Sequence, residues 1–310
     1  VRILWPLERG ERVVRVEVVG VPMDLGAARR GTDMGPSAIR YARLNEILTA
    51  LGHQVSDAGN VPAPVPESRP EPRARLRYLP EIATACRDLA GVVCGILRRR
   101  ALPLVLGGDH SLTIGTLAGR TMAGRRGGVI WIDAHGDFNT EETSPSGNIH
   151  GMSLAVATGR GSGELVGIGG GPSAAERAVV LVGVRSLDPP ERLALHHSGV
   201  TVFTMKDIDQ RGIAAVMGDA VGVATAGGRD RFHLSCDLDA LDPLCAPGVG
   251  TPVPGGLTYR EAHLAMELVA DSGLIESIDL VELNPILDEH NRTASLAVEL
   301  VASALGQRIY

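Results

Sequence analysis

Asp133, His135 and Asp137 alternate within one short stretch, Asp133-Ala-His135-Gly-Asp137-Phe-Asn139. In an extended chain, side chains two apart point the same way, so these three can converge on one point. Carboxylates and imidazoles are metal-ligating groups. The same residue types recur at Gly107-Gly-Asp109-His110-Ser111, at Asp237-Leu-Asp239 and at Glu282-Leu-Asn284-Pro285. One such stretch is as readily a polar strand end beside a helix cap. Four in one chain are better explained by a single site.

The candidate ligands are His110, Asp133, His135, Asp137, Asp237 and Asp239, two imidazoles and four carboxylates. No thiolate joins them, because Cys236 points away from Asp237 if that stretch is extended. A closed zinc site favours Cys and His in a tetrahedron, whereas an oxygen-rich set suits harder ions such as Mn²⁺. Six ligands are too many for one open catalytic ion and suit two ions sharing carboxylates, whose charge four acids would balance. Two such ions about 3.5–4 Å apart lower the pKa of a shared water and supply a nucleophile near neutral pH.

These residues need elements to place them. Each set follows an apolar run that reads as a strand: 103–107, 128–132, 232–236 and 275–281. Further strands read at 13–21, from 55, at 178–183 and at 200–203. Between them the spacing predicts helices: from Pro36 through Leu48, over 78–99, from Ser111 to near Gly119, from a Thr258/Glu261 capping box, and over 291–305. Repeated strand–helix alternation predicts an α/β three-layer αβα fold with a central, mostly parallel sheet, whose C-terminal strand ends bind ligands. Residues 1–12 read as a loose leader, 13–310 as one catalytic domain, 159–173 as a flexible Gly-rich loop and 240–256 as a Pro/Gly loop.

Bulk properties narrow the function. The chain has 310 residues and a net charge of -6, with three Phe, four Tyr and two Trp. Without a basic field or stacking platforms, nucleic acid is not an expected partner. No eighteen-residue apolar run predicts a membrane helix. Cys86, Cys94, Cys236 and Cys245 form no CxxC pair and read as thiols in a reducing cytoplasm.

The stretches Gly107-Gly-Asp-His110, Asp133-Ala-His-Gly-Asp137 and Ser235-Cys-Asp237-Leu-Asp239-Ala-Leu-Asp-Pro243 resemble the three metal motifs of the ureohydrolases, binuclear manganese hydrolases of guanidino groups. The resemblance runs from Gly20-Val-Pro through the last helix. Asn139-Thr, Ser146-Gly-Asn148-Ile-His150-Gly and Gly248-Val-Gly-Thr251-Pro-Val-Pro are closer to the arginases than to the agmatinases. It implies hydrolysis of L-arginine to L-ornithine and urea, two Mn²⁺ per subunit, and a homotrimer or homohexamer. By the same resemblance one ion takes His110, Asp133, Asp137 and Asp237, and the other His135, Asp133, Asp237 and Asp239. Glu282 matches the residue that holds the guanidinium, His150 the imidazole of proton transfer, and Asp137 a proton acceptor as well as a ligand. Asn139, Ser144 and Ser146 match the α-carboxylate side, with Asn148 and Asp188 on the α-amino side; Thr251 joins the substrate-binding set. Position 144 is often Thr in animal arginases, and Ser keeps the hydroxyl.

The residue types suit that chemistry. Guanidinium carbon is a poor electrophile, so a positioned nucleophile is needed. A carboxylate fixes the planar fork, and the leaving amine must gain a proton, which a histidine can give. The competing readings are an agmatinase or other amidinohydrolase, and a catalytically silent metal-binding regulatory homologue. An absent ligand would favour the last, and all six are present.

Overall fold

Eight strands form one parallel sheet in the order β2-β1-β3-β8-β7-β4-β5-β6. They are β1 (Arg15–Val21), β2 (Gln54–Asn60), β3 (Leu102–Gly107), β4 (Gly128–Ile132), β5 (Val179–Val184), β6 (Thr201–Thr204), β7 (Phe232–Asp237) and β8 (Ile275–Val281). This computed structural model describes residues 13–69, 75–228 and 231–308. The leader expected at 1–12 lies outside the described residues.

The strands β3, β4, β5 and β7 are buried at every position, as a parallel sheet covered on both faces requires. Their residues alternate between two layers. Leu104, Leu106, Ile130, Ile132, Leu234 and Cys236 pack against α1 (Gly35–Tyr41), α2 (Leu44–Ala50) and four later helices. Val105, Val129, Trp131 and Leu181 face the opposite layer. Cys236 thus lies on the core side, away from the acids beside it, and all four cysteines are unbridged.

Three expectations shift in detail. The helix read from Pro36 through Leu48 breaks at Arg43, whose φ is 69°. Neither Pro nor Gly marks that break, so spacing alone hides it. The helix read from Ser111 to Gly119 starts as a 3-10 turn at His110–Leu112 and continues as a helix over Thr113–Met122. Gly119 does not end it but admits the neighbouring helix Leu79–Arg98: a Cβ there would lie 2.6 Å from the Ala90 carbonyl oxygen. The loop at 159–173 contains a helical turn at Gly163–Val166 that buries Leu165. The capping box holds: Thr258 N–H donates to Glu261 at 2.9 Å, and Glu261 N–H to Thr258 at 3.3 Å.

Candidate metal centre and substrate cleft

The four central strands, β3-β8-β7-β4, are the four whose C-terminal ends carry the acids and imidazoles. Glu282 at the end of β8 accepts from the His110 backbone N–H at 2.8 Å, joining residues 172 apart in sequence. Gly108 makes this turn possible: a Cβ would sit 2.4 Å from the Met23 carbonyl oxygen. Two site residues hold left-handed backbone, Asp137 with φ 46° and Glu282 with φ 66°. Such conformations cost about 1–3 kcal/mol each and persist where packing overrides them.

His110 Nδ1 lies 3.1 Å from Asp137 Oδ2, 3.1 Å from Asp237 Oδ2 and 3.3 Å from Asp133 Oδ2. His135 Nδ1 lies 3.1 Å from Asp239 Oδ2 and 3.5 Å from Asp133 Oδ1. Two groups therefore form, His110-Asp133-Asp237 and Asp133-His135-Asp239, each with its ligand atoms within 4.8 Å. Asp133 is common to both.

Fixed donors aim these carboxylates. Asp133 accepts from His135 N–H at 2.7 Å and from Trp131 Nε1–H at 2.8 Å. Asp237 accepts from Asp239 N–H at 2.8 Å. Asp239 accepts from Ala134 N–H at 3.3 Å and from the Thr251 hydroxyl at 2.7 Å. The Trp131 ring stacks on His110 at 4.2 Å.

The arrangement fits divalent cations. Burial and then the Asp133 charge push Asp137 up to about 6, and burial, Asp239 and Asp133 hold Asp237 well above the usual carboxylate range. Crowded buried acids resist ionising together, and a cation among them relieves that cost. Asp137 Oδ2 is buried without a hydrogen bond. Oxygen and imidazole donors without thiolate suit hard ions.

Beside this centre opens a cleft of about 150 Å³, and Asn139, Ser144, Ser146, Asn148, Asp188 and Thr251 all line it, together with His150. Asn139 Nδ2 donates to Asp188 Oδ2 at 3.0 Å. Ser144 accepts from Gly147 N–H at 3.0 Å and Ser146 from Asn148 N–H at 3.2 Å, which gives the loop its shape. His150 Nδ1 lies 3.0 Å from Glu282 Oε1, while Glu282 Oε2 is buried and unbonded. Burial alone would lower His150; the Glu282 carboxylate overrides it and raises His150 to about 9.

Sequence reasoning missed Glu191 and Arg185. Glu191 lines the cleft and accepts from Phe138 N–H at 2.9 Å and Asp188 N–H at 3.2 Å; burial pushes it up to about 7. Its signal was present, since Asp188-Pro-Pro-Glu191 has capping-box spacing. Arg185 donates to the carbonyls of Asp239, Ala240, Leu241 and Val253 at 2.7–3.3 Å, which ties the Pro/Gly loop to the metal ligands. No local pattern announces that role. Arg185→Lys cannot reproduce the fork, and is expected to cost about 2–4 kcal/mol by leaving carbonyls unpaired. A thermal melt lowered by several degrees checks this; an unchanged Tm contradicts it.

Comparison with known proteins agrees with this geometry. The model of the arginase family matches residues 14–306. The arginase of Bacillus caldovelox is 51% identical over 296 residues, spanning 95% of this chain and 99% of that one. The arginase of Bacillus subtilis (strain 168) is 50% identical over 295 residues, spanning 95% and 98%. The solved structure of the Bacillus caldovelox arginase aligns with a TM-score of 0.92 at 50% identity, covering 96% of this chain and all (100%) of that one. Eight parallel strands, a shared carboxylate between two ligand groups and half-identical relatives over nearly the whole length lead to one conclusion: the chain belongs to the arginase family of ureohydrolases.

Proposed function

We propose that this chain is an arginase, hydrolysing the L-arginine guanidinium to give L-ornithine and urea, as one catalytic unit over 13–310. The observation that carries the reading is the union of two imidazole–carboxylate groups with a cleft walled by Asn139, Ser144, Ser146, Asn148 and Asp188. His110, Asp133, Asp137 and Asp237 would hold one Mn²⁺, and His135, Asp133, Asp237 and Asp239 would hold the other. When bound, the ions supply a water-derived nucleophile near neutral pH.

The side chains do the rest. Glu282 Oε2, buried and unbonded, receives the guanidinium fork. Asp137 takes up the proton shed by the attacking oxygen. His150, beside Glu282, carries the proton that the leaving nitrogen needs. The Asn139–Ser146 loop binds the α-carboxylate, and Asn148 and Asp188 face the α-amino group; Thr251 steadies Asp239.

These polar groups decide against the agmatinase reading. A site built for a carboxylate is left with unpaired donors by a substrate that lacks one. Urea release measured head to head, with Mn²⁺ and after chelation, is expected to favour arginine over agmatine by 10²-fold or more. Equal rates would sink the assignment. Asp188→Ala is expected to cost arginine more than an analogue without the α-amino group, by about 1–3 kcal/mol; equal losses contradict its role. The family resemblance supports a homotrimer or homohexamer acting in arginine metabolism and the urea cycle, and the unbridged thiols support a cytoplasmic setting.

A further inference from the structure

At the far end of the sheet from the metal centre lies a second cavity, of about 710 Å³, which the hydrolytic reading does not use. It opens among the N-terminal ends of β1, β3, β7 and β8, whereas the acids and imidazoles sit at the C-terminal ends. Strands of six and seven residues separate the two by about 20 Å. Arg15, Arg100, Arg125, Arg231 and Arg308 line the cavity, and Glu276 is the one carboxylate among its described lining residues.

Five guanidiniums together, in a chain with a net charge of -6, call for a counter-charge. Glu276 does not supply enough. It is shared between Arg125, at 3.4 Å, and the buried Arg120, at 3.1 Å. Arg308 pairs with Asp271. Arg15 and Arg231 each give one N–H to a backbone carbonyl, that of Arg99 and that of Ile275, and neither has a carboxylate partner among the described residues. The Arg100 side chain makes no hydrogen bond or ion pair among them. Arg100 follows the helix Leu79–Arg98 with φ 59°, a turn that glycine enters with less strain, so the turn does not explain the arginine. A guanidinium keeps its charge and offers five donors in a fork that matches phosphate oxygens. Leu97, Leu102 and Ile275 give the cavity an aliphatic wall. Its volume is that of a small-molecule site, more than a single phosphate fills.

We propose that this cavity binds a small molecule bearing a diphosphate, with Arg15, Arg100 and Arg231 on the phosphates and the aliphatic wall against its body. The site stands apart from the reacting centre, and the proposal does not rest on the arginase reading.

The test is fluorescence anisotropy of ADP labelled on its ribose. The probe is held at trace concentration while the Mn²⁺-loaded full chain is titrated in, so that it cannot strip the metal. Saturable binding is expected. Arg100→Gln and Arg231→Gln are each expected to weaken it by roughly 5- to 30-fold, through loss of charge-assisted bonds, and to leave urea formation and the melting temperature unchanged. Arg99→Gln removes a neighbouring guanidinium that pairs with Glu17 and does not line the cavity, and is expected to bind within about twofold of the unmodified chain. Competition by unlabelled ADP and by inorganic diphosphate separates the sources of the ligand. Diphosphate competing within about tenfold of ADP makes the ligand a free diphosphate, and weaker competition makes it a nucleotide; either supports the site. Absence of saturable binding, failure of both competitors, equal weakening in Arg99→Gln, or displacement by L-ornithine, which would place the probe in the catalytic cleft, would each overturn the proposal.

Discussion

Asp133→Ala is expected to strip the site of both ions and lower urea formation by about a thousandfold or more. Asp133 belongs to both ligand groups, so its loss removes a donor from each. Ions that generate the nucleophile and hold charge at the reacting centre contribute several kcal/mol to the barrier, and about 4 kcal/mol is three powers of ten. Removing Asp133 relieves its repulsion of Asp137 and Asp237 but leaves the Trp131 Nε1–H and the His135 N–H without their acceptor, so the metal-free melt must be read first. Melting with and without Mn²⁺ separates the effects. Ligand at a hundredfold excess over Kd stabilises the native state by about 2.7 kcal/mol per site. The unmodified chain should therefore melt higher with Mn²⁺, and the variant should not. A variant that keeps two ions by elemental analysis, or full activity, contradicts the shared-carboxylate arrangement.

Much of this site was legible because ligands at strand ends leave a local mark. An apolar run fixes where the strand stops, and period-two alternation fixes which way Asp133, His135 and Asp137 face. The adjacency of β3, β8, β7 and β4 was not local. It depends on two late strands entering between two early ones; acids and imidazoles at four strand ends pointed to a common site but not to that order. Arg185 was invisible for the same reason: it donates to carbonyls more than 50 residues away, through contacts that no spacing encodes. Gly119 misled because a glycine for close helix packing and a glycine that ends a helix look alike in sequence. Glu191 went unread although Asp188-Pro-Pro-Glu191 has capping-box spacing, because such spacing is fully explained by the helix start it makes.

Glu282→Gln tests the substrate side independently of the ions. The Gln amide oxygen can still accept from the His110 N–H, which the carboxylate now receives at 2.8 Å. Metal content is therefore expected to stay at the level of the unmodified chain. The other carboxylate oxygen, Oε2, is buried and unbonded, and in the Gln variant an amide N–H takes its place. A guanidinium offers only donors, so donor would meet donor, and the charge that compensates its desolvation would be gone. Breaking one side of such a buried charged pair costs about 3–5 kcal/mol, which is roughly 10²- to 10⁴-fold in kcat/KM for arginine. His150 should also lose the charge that raises it to about 9 and titrate lower. Steady-state kinetics with parallel metal analysis decides the matter. Near-normal kcat/KM with intact metal would remove Glu282 from guanidinium binding, whereas lost metal would make it a support of His110 instead.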